Sequence, residues 1–142
     1  MRRWSEPLDR EEFLGIPELA KELRRKETRL EVLRTRAEGD GALQLRERVQ
    51  TSPSNAASAI ADVMADLSVE VDELREELHR LRAKAARLFD ERLDGEELEV
   101  MRLHYIRDLT WLEIAELLHY EKRTVYRRQE SAIEKMFGLG TD

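Results

Sequence analysis

Six positions late in the chain combine the side chains that proteins use to contact nucleic acid. Residues 122–128 contain four basic residues and no acidic one. A guanidinium group can donate two hydrogen bonds to O6 and N7 of a guanine, whereas contacts to phosphate position a protein without specifying sequence. The candidate DNA-contacting residues are Lys122, Arg123, Thr124, Tyr126, Arg127 and Arg128.

The sequence around these residues predicts two helices that present them. Thr110-Trp111-Leu112-Glu113 is a capping-box pattern, and it opens a short helix that ends at Leu118. A three-residue turn, 119–121, separates this helix from a longer one over about 122–136. We expect the inward side chains to be Ile114, Ala115 and Leu118 on the first helix and Val125, Ala132, Ile133 and Met136 on the second.

A third helix is predicted just before this pair. Asp94 is followed three residues later by Glu97, a second capping-box pattern, and Leu98, Met101 and Tyr105 then make one apolar face. A short helix, a tight turn and a longer basic helix follow the helix-turn-helix plan. In that motif the first residues of the last helix meet base edges in the major groove. The sequence therefore predicts a helix-turn-helix domain over 94–142.

The region before this domain has the periodicity of a coiled coil. Apolar residues between 57 and 92 recur at alternating steps of four and three for about four heptads, which is typical of such a seam. A second helix over 17–38, with Pro17 near its start and Gly39 at its end, carries a shorter seam interrupted by Lys26. The longer seam comprises Ile60, Met64, Leu67, Val71, Leu74, Leu78, Leu81, Ala85 and Leu88.

These patterns predict two domains in an all-α protein. Residues 1–93 form a helical hairpin or coiled coil, with the two helices joined by a loop over 39–56, and the helix-turn-helix domain follows. The helices differ in length, so part of the longer seam needs another cover. We favour a homodimer through the coil; the alternative is a monomeric hairpin capped by the C-terminal helices.

Composition excludes several other classes. The chain has no cysteine, and no apolar run approaches the roughly 18 residues that span a membrane. We expect a cytoplasmic protein without a signal peptide. The three histidines, at 79, 104 and 119, lack metal-ligand spacing, and the carboxylate pairs lack a neighbouring nucleophile. The sequence therefore predicts no metal, no cofactor and no enzymatic activity.

The segment from Leu103 to Arg127, LHYIRDLTWLEIAELLHYEKRTVYR, resembles region 4 of sigma-70 factors. It is most similar to the sigma-region-4-like regulators of Gram-positive phages and prophages. The stretch Arg48-Val49-Gln50-Thr51-Ser52 and the helix from Ile60 to Leu81 are also similar to that family. The resemblance implies DNA binding and a role in transcription in a bacterial host cell. It implies that Lys122, Arg123, Tyr126 and Arg127 read bases.

The net charge of −6 is unusual for a DNA-binding protein, so other functions are also considered. The leading hypothesis is a transcription regulator that binds double-stranded DNA through 94–137 and uses 10–92 to dimerise or to reach RNA polymerase. The alternative is an acidic coiled-coil interaction module that docks on RNA polymerase or another partner without reading bases. A third reading, a DNA binder similar to the small subunit of phage terminases, predicts a ring oligomer.

Overall fold

The computed structural model describes residues 5–38 and 53–138. All regular elements in these residues are helical and none is a strand, which confirms the predicted all-α class. The elements are α1 (Arg10–Leu14), α2 (Ile16–Glu38), α3 (Pro53–Arg92), α4 (Gly95–Met101), a π-helical turn (Arg102–Ile106), α5 (Trp111–Leu118) and α6 (Lys122–Phe137).

The predicted bounds of α2, α5 and α6 and the end of α3 hold to within one residue, but the predicted start of α3 does not. The loop predicted over 39–56 is wrong for residues 53–56, because α3 begins at Pro53. Proline lacks the backbone N–H that the first helical turn leaves unused, so it is well suited to this position. Residues 39–52, including the Arg48–Ser52 stretch, lie outside the described residues.

The chain packs into two compact units. The middle unit is Lys21–Glu77, and the terminal unit joins Met1–Ala20 to Leu78–Asp142. The domain boundary predicted at residue 93 therefore falls inside the terminal unit. Residues near both ends of the chain share one core in this unit.

The middle unit buries one pair of apolar residues from each of its two helices: Leu23 and Leu30 from α2, and Leu67 and Val71 from α3. Lys26 occupies the polar position of the shorter seam. Its Nζ lies 3.4 Å from carboxylate oxygens of both Glu22 and Glu70, so it pairs with acids on both helices.

Aromatic residues from distant parts of the sequence form the centre of the terminal unit. Phe13 is completely buried, and its ring centroid lies 5.8 Å from that of Phe89, 4.1 Å from Tyr105 and 5.5 Å from Phe137. Burial raises the pKa of Tyr105 to about 12, although a hydrogen bond from Gln129 opposes this shift. A capping box between Asp9 and Glu12 starts α1 and so fixes the helix that carries Phe13.

The end of α3 departs from the predicted seam. Ala85, Phe89 and Leu93 are buried, whereas Leu88 is only half-buried. A straight α-helix drifts by about 20° per heptad relative to a strict seven-residue repeat, so its buried stripe moves to a neighbouring position. The core of the terminal unit therefore receives Phe89 instead of Leu88.

Across residues 5–38 and 53–138, none of the helices combines the length and the apolar character that crossing a bilayer requires.

Candidate nucleic-acid interface

The first helix of the candidate interface is fixed at its start by a capping box. The backbone N–H of Glu113 donates to Oγ1 of Thr110 at 3.1 Å, and the N–H of Thr110 donates to Oε1 of Glu113 at 2.9 Å. Hydrogen bonds to the Glu113 carboxylate from the backbone N–H and the side chain of Thr110 lower the pKa of that carboxyl, because they favour its charged form. The predicted box is confirmed, and it sets α5 to begin at Trp111.

A sharp turn at His119 ends α5. His119 adopts a left-handed conformation, with φ 59° and ψ 41°. The N–H of Tyr120 donates to the carbonyl of Ala115 at 2.9 Å, and the N–H of His119 donates to that of Glu116 at 3.4 Å. This is the Schellman pattern of helix termination, which redirects the chain within very few residues. The carbonyl of Glu121 then accepts from the N–H of Thr124 at 3.0 Å and begins α6.

A small apolar core holds α4, α5 and α6 together. Val100, Ile114, Ala115 and Val125 are buried against one another. Around them pack the half-buried residues Leu103, Leu109, Trp111, Leu118 and Tyr120. The predicted inward residues of α6 are all buried, so its orientation about its own axis is fixed. The opposite side of α6 must therefore face solvent.

The outward side of α6 carries most of the predicted contact residues. Lys122, Arg123, Tyr126 and Arg127 are exposed and, together with Glu130, line one shallow depression of about 500 Å³. Their spacing places them on one face of a helix. Three cations and one anion give this face a formal charge of +2. We call these five residues the α6 outer face.

Tyr126 is the aromatic member of the α6 outer face. Tyr126 is 39% exposed, and the centroid of its ring lies 5.9 Å from that of Trp111 and 5.8 Å from the ammonium group of Lys122. Trp111 in turn stacks on the ring of His104, with centroids 3.6 Å apart. Nδ1 of His104 lies 2.7 Å from the carbonyl oxygen of Leu109, which holds the imidazole in this stack. The stacked rings of His104 and Trp111 thus pack next to the Tyr126 ring.

Arg128 and Thr124 differ from the other predicted contacts. Thr124 is half-buried beside the buried Val125. Nη2 of Arg128 lies 2.7 Å from Oε2 of Glu96, so its guanidinium is turned toward α4. The hydrogen bond between Tyr120 and Glu96 raises the pKa of Tyr120 and ties down the same carboxylate. The structure thus brings four of the six predicted residues together on the α6 outer face and gives Arg128 an intramolecular partner.

The capping box predicted at Asp94 is wrong. Asp94 makes no side-chain cap hydrogen bond, and Glu97 is buried against Lys135 of α6. Burial would raise the pKa of Glu97, but hydrogen bonds from Lys135 and Ser131, with the charges of Lys135 and Arg128, lower it overall. The same pair raises the pKa of Lys135. Glu97 is thus committed to a partner 38 residues away, which is available only in the folded chain.

Sequence reasoning missed the π-helical turn that joins α4 to the loop before α5. The N–H of Arg107 donates to the carbonyl of Arg102 at 3.1 Å, a five-residue step. Arg82 of α3 braces this turn: its Nε donates to the carbonyl of Tyr105 at 3.0 Å, and its Nη2 lies 3.0 Å from Asp108. Asp108 has a φ of 65°, so the loop between this turn and α5 contains a left-handed residue. Helical periodicity carries no signal for such an inserted residue.

Sequence reasoning also missed Glu130 as a residue of the candidate interface, although helical spacing could have identified it. It lies three residues after Arg127 and four after Tyr126, so helical spacing alone assigns it to the α6 outer face.

No group of histidine, aspartate or glutamate residues within the described part of the chain is arranged to hold a metal ion. Comparison with known proteins gave no match: no family model fits the chain, and no curated protein and no solved structure is significantly similar to it.

Proposed function

We propose that this chain is a DNA-binding transcription regulator of the phage type that reads double-stranded DNA with α6. In this proposal α5, residues 119–121 and α6 act as a helix-turn-helix. The observation that carries the proposal is the α6 outer face, where Lys122, Arg123, Tyr126 and Arg127 are exposed together. In the motif it is this part of the second helix that enters the major groove.

The surroundings of this face support base reading by particular side chains. Lys122, Arg123 and Arg127 make no ion pair with another described residue, so their charges are available to DNA. Arg123 and Arg127 are suited to guanine, and Tyr126 has an apolar ring for a thymine methyl group. With a formal charge of only +2 on the face, we expect modest affinity that decreases as salt is added, with a slope set by the few phosphates contacted.

The proposal is tested by selecting bound duplexes from a random DNA pool at low salt. The wild-type chain is run beside Arg123→Ala/Arg127→Ala and beside a control, Arg87→Ala/Arg92→Ala. The control removes the same charge from exposed arginines of α3 that do not line the depression on α6. Circular dichroism confirms that every variant is folded.

We expect an enriched motif with the wild type and the control, and its loss with Arg123→Ala/Arg127→Ala. If wild type enriches nothing, the proposal is refuted, and RNA polymerase becomes the next binding partner to test. If both double variants lose the motif equally, net charge and not α6 carries the binding.

The proposal includes a homodimer formed through the coil. Ile60 and Met64 belong to the heptad seam of α3 but are only half-buried, and Val63 between them is exposed. Light scattering is expected to give twice the mass of one chain. A palindromic selected motif would agree with two copies, a monomer mass would contradict the dimer, and a ring oligomer would favour a terminase-like DNA binder.

A second candidate function is an interaction module that docks on RNA polymerase or another protein without reading bases. The outer side of α5 favours it, because Leu112 and Leu117 are each 56% exposed beside Glu113 and Glu116. Exposed leucines flanked by acids fit a protein partner better than DNA. In that case Leu112→Ser/Leu117→Ser abolishes polymerase binding, whereas Arg123→Ala/Arg127→Ala leaves it unchanged.

A further inference from the structure

Glu130 is the one acidic residue among the five that line the depression on α6. It is exposed, and its side chain makes no hydrogen bond or ion pair with another described residue. Arg127, three residues before it on the same helix, also has no ion-pair partner among the described residues. The carboxylate is therefore not used to neutralise its neighbour.

A carboxylate on a DNA-facing surface weakens binding to every sequence, because it is repelled by the phosphates. An acid at this place contributes favourably only where it accepts a hydrogen bond from a base. In the major groove the N4 amino group of cytosine is a donor that a Glu or Asp side chain accepts from.

We infer that Glu130 determines specificity by accepting a hydrogen bond from the N4 amino group of a cytosine. This inference rests on the proposed function of α6. Glu130 follows Arg123 by seven residues, or about 10 Å along the helix axis. Seven residues make about two helical turns of 3.6 residues each, so the two side chains lie on the same face of α6.

The inference predicts a different role for Glu130 from that of the three cations. Lys122, Arg123 and Arg127 raise affinity, whereas Glu130 lowers affinity for most sequences and spares those with a C·G pair at its position. Replacing the carboxylate by an amide changes the preferred base, because a glutamine pairs with N6 and N7 of adenine.

The test is the same duplex selection with Glu130→Gln and Glu130→Ala. Glu116→Gln is the control, since it removes one exposed carboxylate from α5. Competition with single-base variants of the selected site then measures the preference at each position. Circular dichroism again establishes that each variant is folded.

We expect Glu130→Gln to lose a preference for C·G of about 5- to 100-fold at one position and to gain a preference for A·T there. Glu130→Ala is expected to flatten that position, and Glu116→Gln to change none. The inference is overturned if both Glu130 variants select the wild-type motif with the same strength at every position. It also falls if wild type selects no motif, an outcome that refutes DNA reading as a whole and is therefore distinguishable.

Discussion

The inner and outer sides of α6 contain similar residue types under different constraints. On the inner side, Arg128 pairs with Glu96 and Lys135 pairs with Glu97, so these cations hold α6 to α4. On the outer side, Arg123 and Arg127 have no such partner among the described residues. One helix thus contains structural and available arginines in neighbouring positions, and composition alone does not tell them apart.

This difference teaches where the information for each role lies. Arg127 and Arg128 are adjacent in sequence, but successive residues of a helix point about 100° apart. That rotation takes one guanidinium to the solvent and the other to a carboxylate of α4. A run of like charges therefore indicates a candidate interface. Only the direction of each side chain shows which of the charged residues belong to that interface.

The largest expected effect comes from removing an inner apolar residue. Ile133→Ala should lower the free energy of unfolding by about 2–5 kcal/mol, because a buried side chain is lost and a cavity is left. Arg123→Ala on the outer side should change it by less than about 0.5 kcal/mol. Urea denaturation measures both. Equal losses for the two variants would contradict the division of α6 into two sides.

A comparison of the neighbouring arginines sharpens the division. Arg127→Ala should weaken binding to the selected duplex by about 5- to 100-fold, the range of one bidentate base contact. Arg128→Ala should weaken it much less, because its guanidinium is engaged by Glu96. Fluorescence anisotropy at fixed salt makes the measurement. A greater loss for Arg128→Ala would show that its ion pair opens on DNA and would move the contact surface.

The pair between Glu97 and Lys135 predicts a pH dependence. Glu97→Gln should lower stability at neutral pH by about 1–2 kcal/mol through loss of a charge-assisted hydrogen bond. The pKa of Glu97 is lower in the folded chain than its ordinary value of 4.5. Its stabilisation is therefore present above about pH 4.5 and disappears as the pH falls through the folded pKa.

Thermal denaturation between pH 3 and 7 tests this dependence, with Glu99→Gln as the control because Glu99 is an exposed neighbour on α4. The difference between wild type and Glu97→Gln should shrink toward low pH. A difference that is constant over this range would show that the carboxylate charge does not stabilise the fold.

The smallest expected effect concerns the turn at His119, which joins α5 to α6. His119→Gly should stabilise the chain by about 0.5–1 kcal/mol, since glycine adopts positive φ without the steric cost of a Cβ atom. His119→Ala retains that cost and serves as the control. Chemical denaturation decides: a loss of stability in His119→Gly would mean that the imidazole contributes more than its backbone costs.

Local patterns in the sequence were enough to predict most of the C-terminal helices. The Thr110 capping box, the length of α5 and the inward residues of α6 all depend on residues within a few positions of one another. Helical periodicity likewise predicted α2 to within one residue and the end of α3. For the same reason helical spacing alone could assign four of the six candidate contacts to one exposed face.

Contacts between distant residues were decided by the tertiary structure. Asp94 and Glu97 have the spacing of a capping box, but Glu97 is drawn to Lys135, whose position depends on the packing of α4 against α6. Phe13 lies in the same core as Phe89, 76 residues later in the chain, and Tyr105, 92 residues later. No local sequence pattern can predict contacts over such separations. The sequence by itself determined where the helices form and which faces are apolar, because those follow from steps of three and four residues. Which cation is bound within the fold and which remains available was decided only when the helices packed, because that depends on the partner each side chain meets.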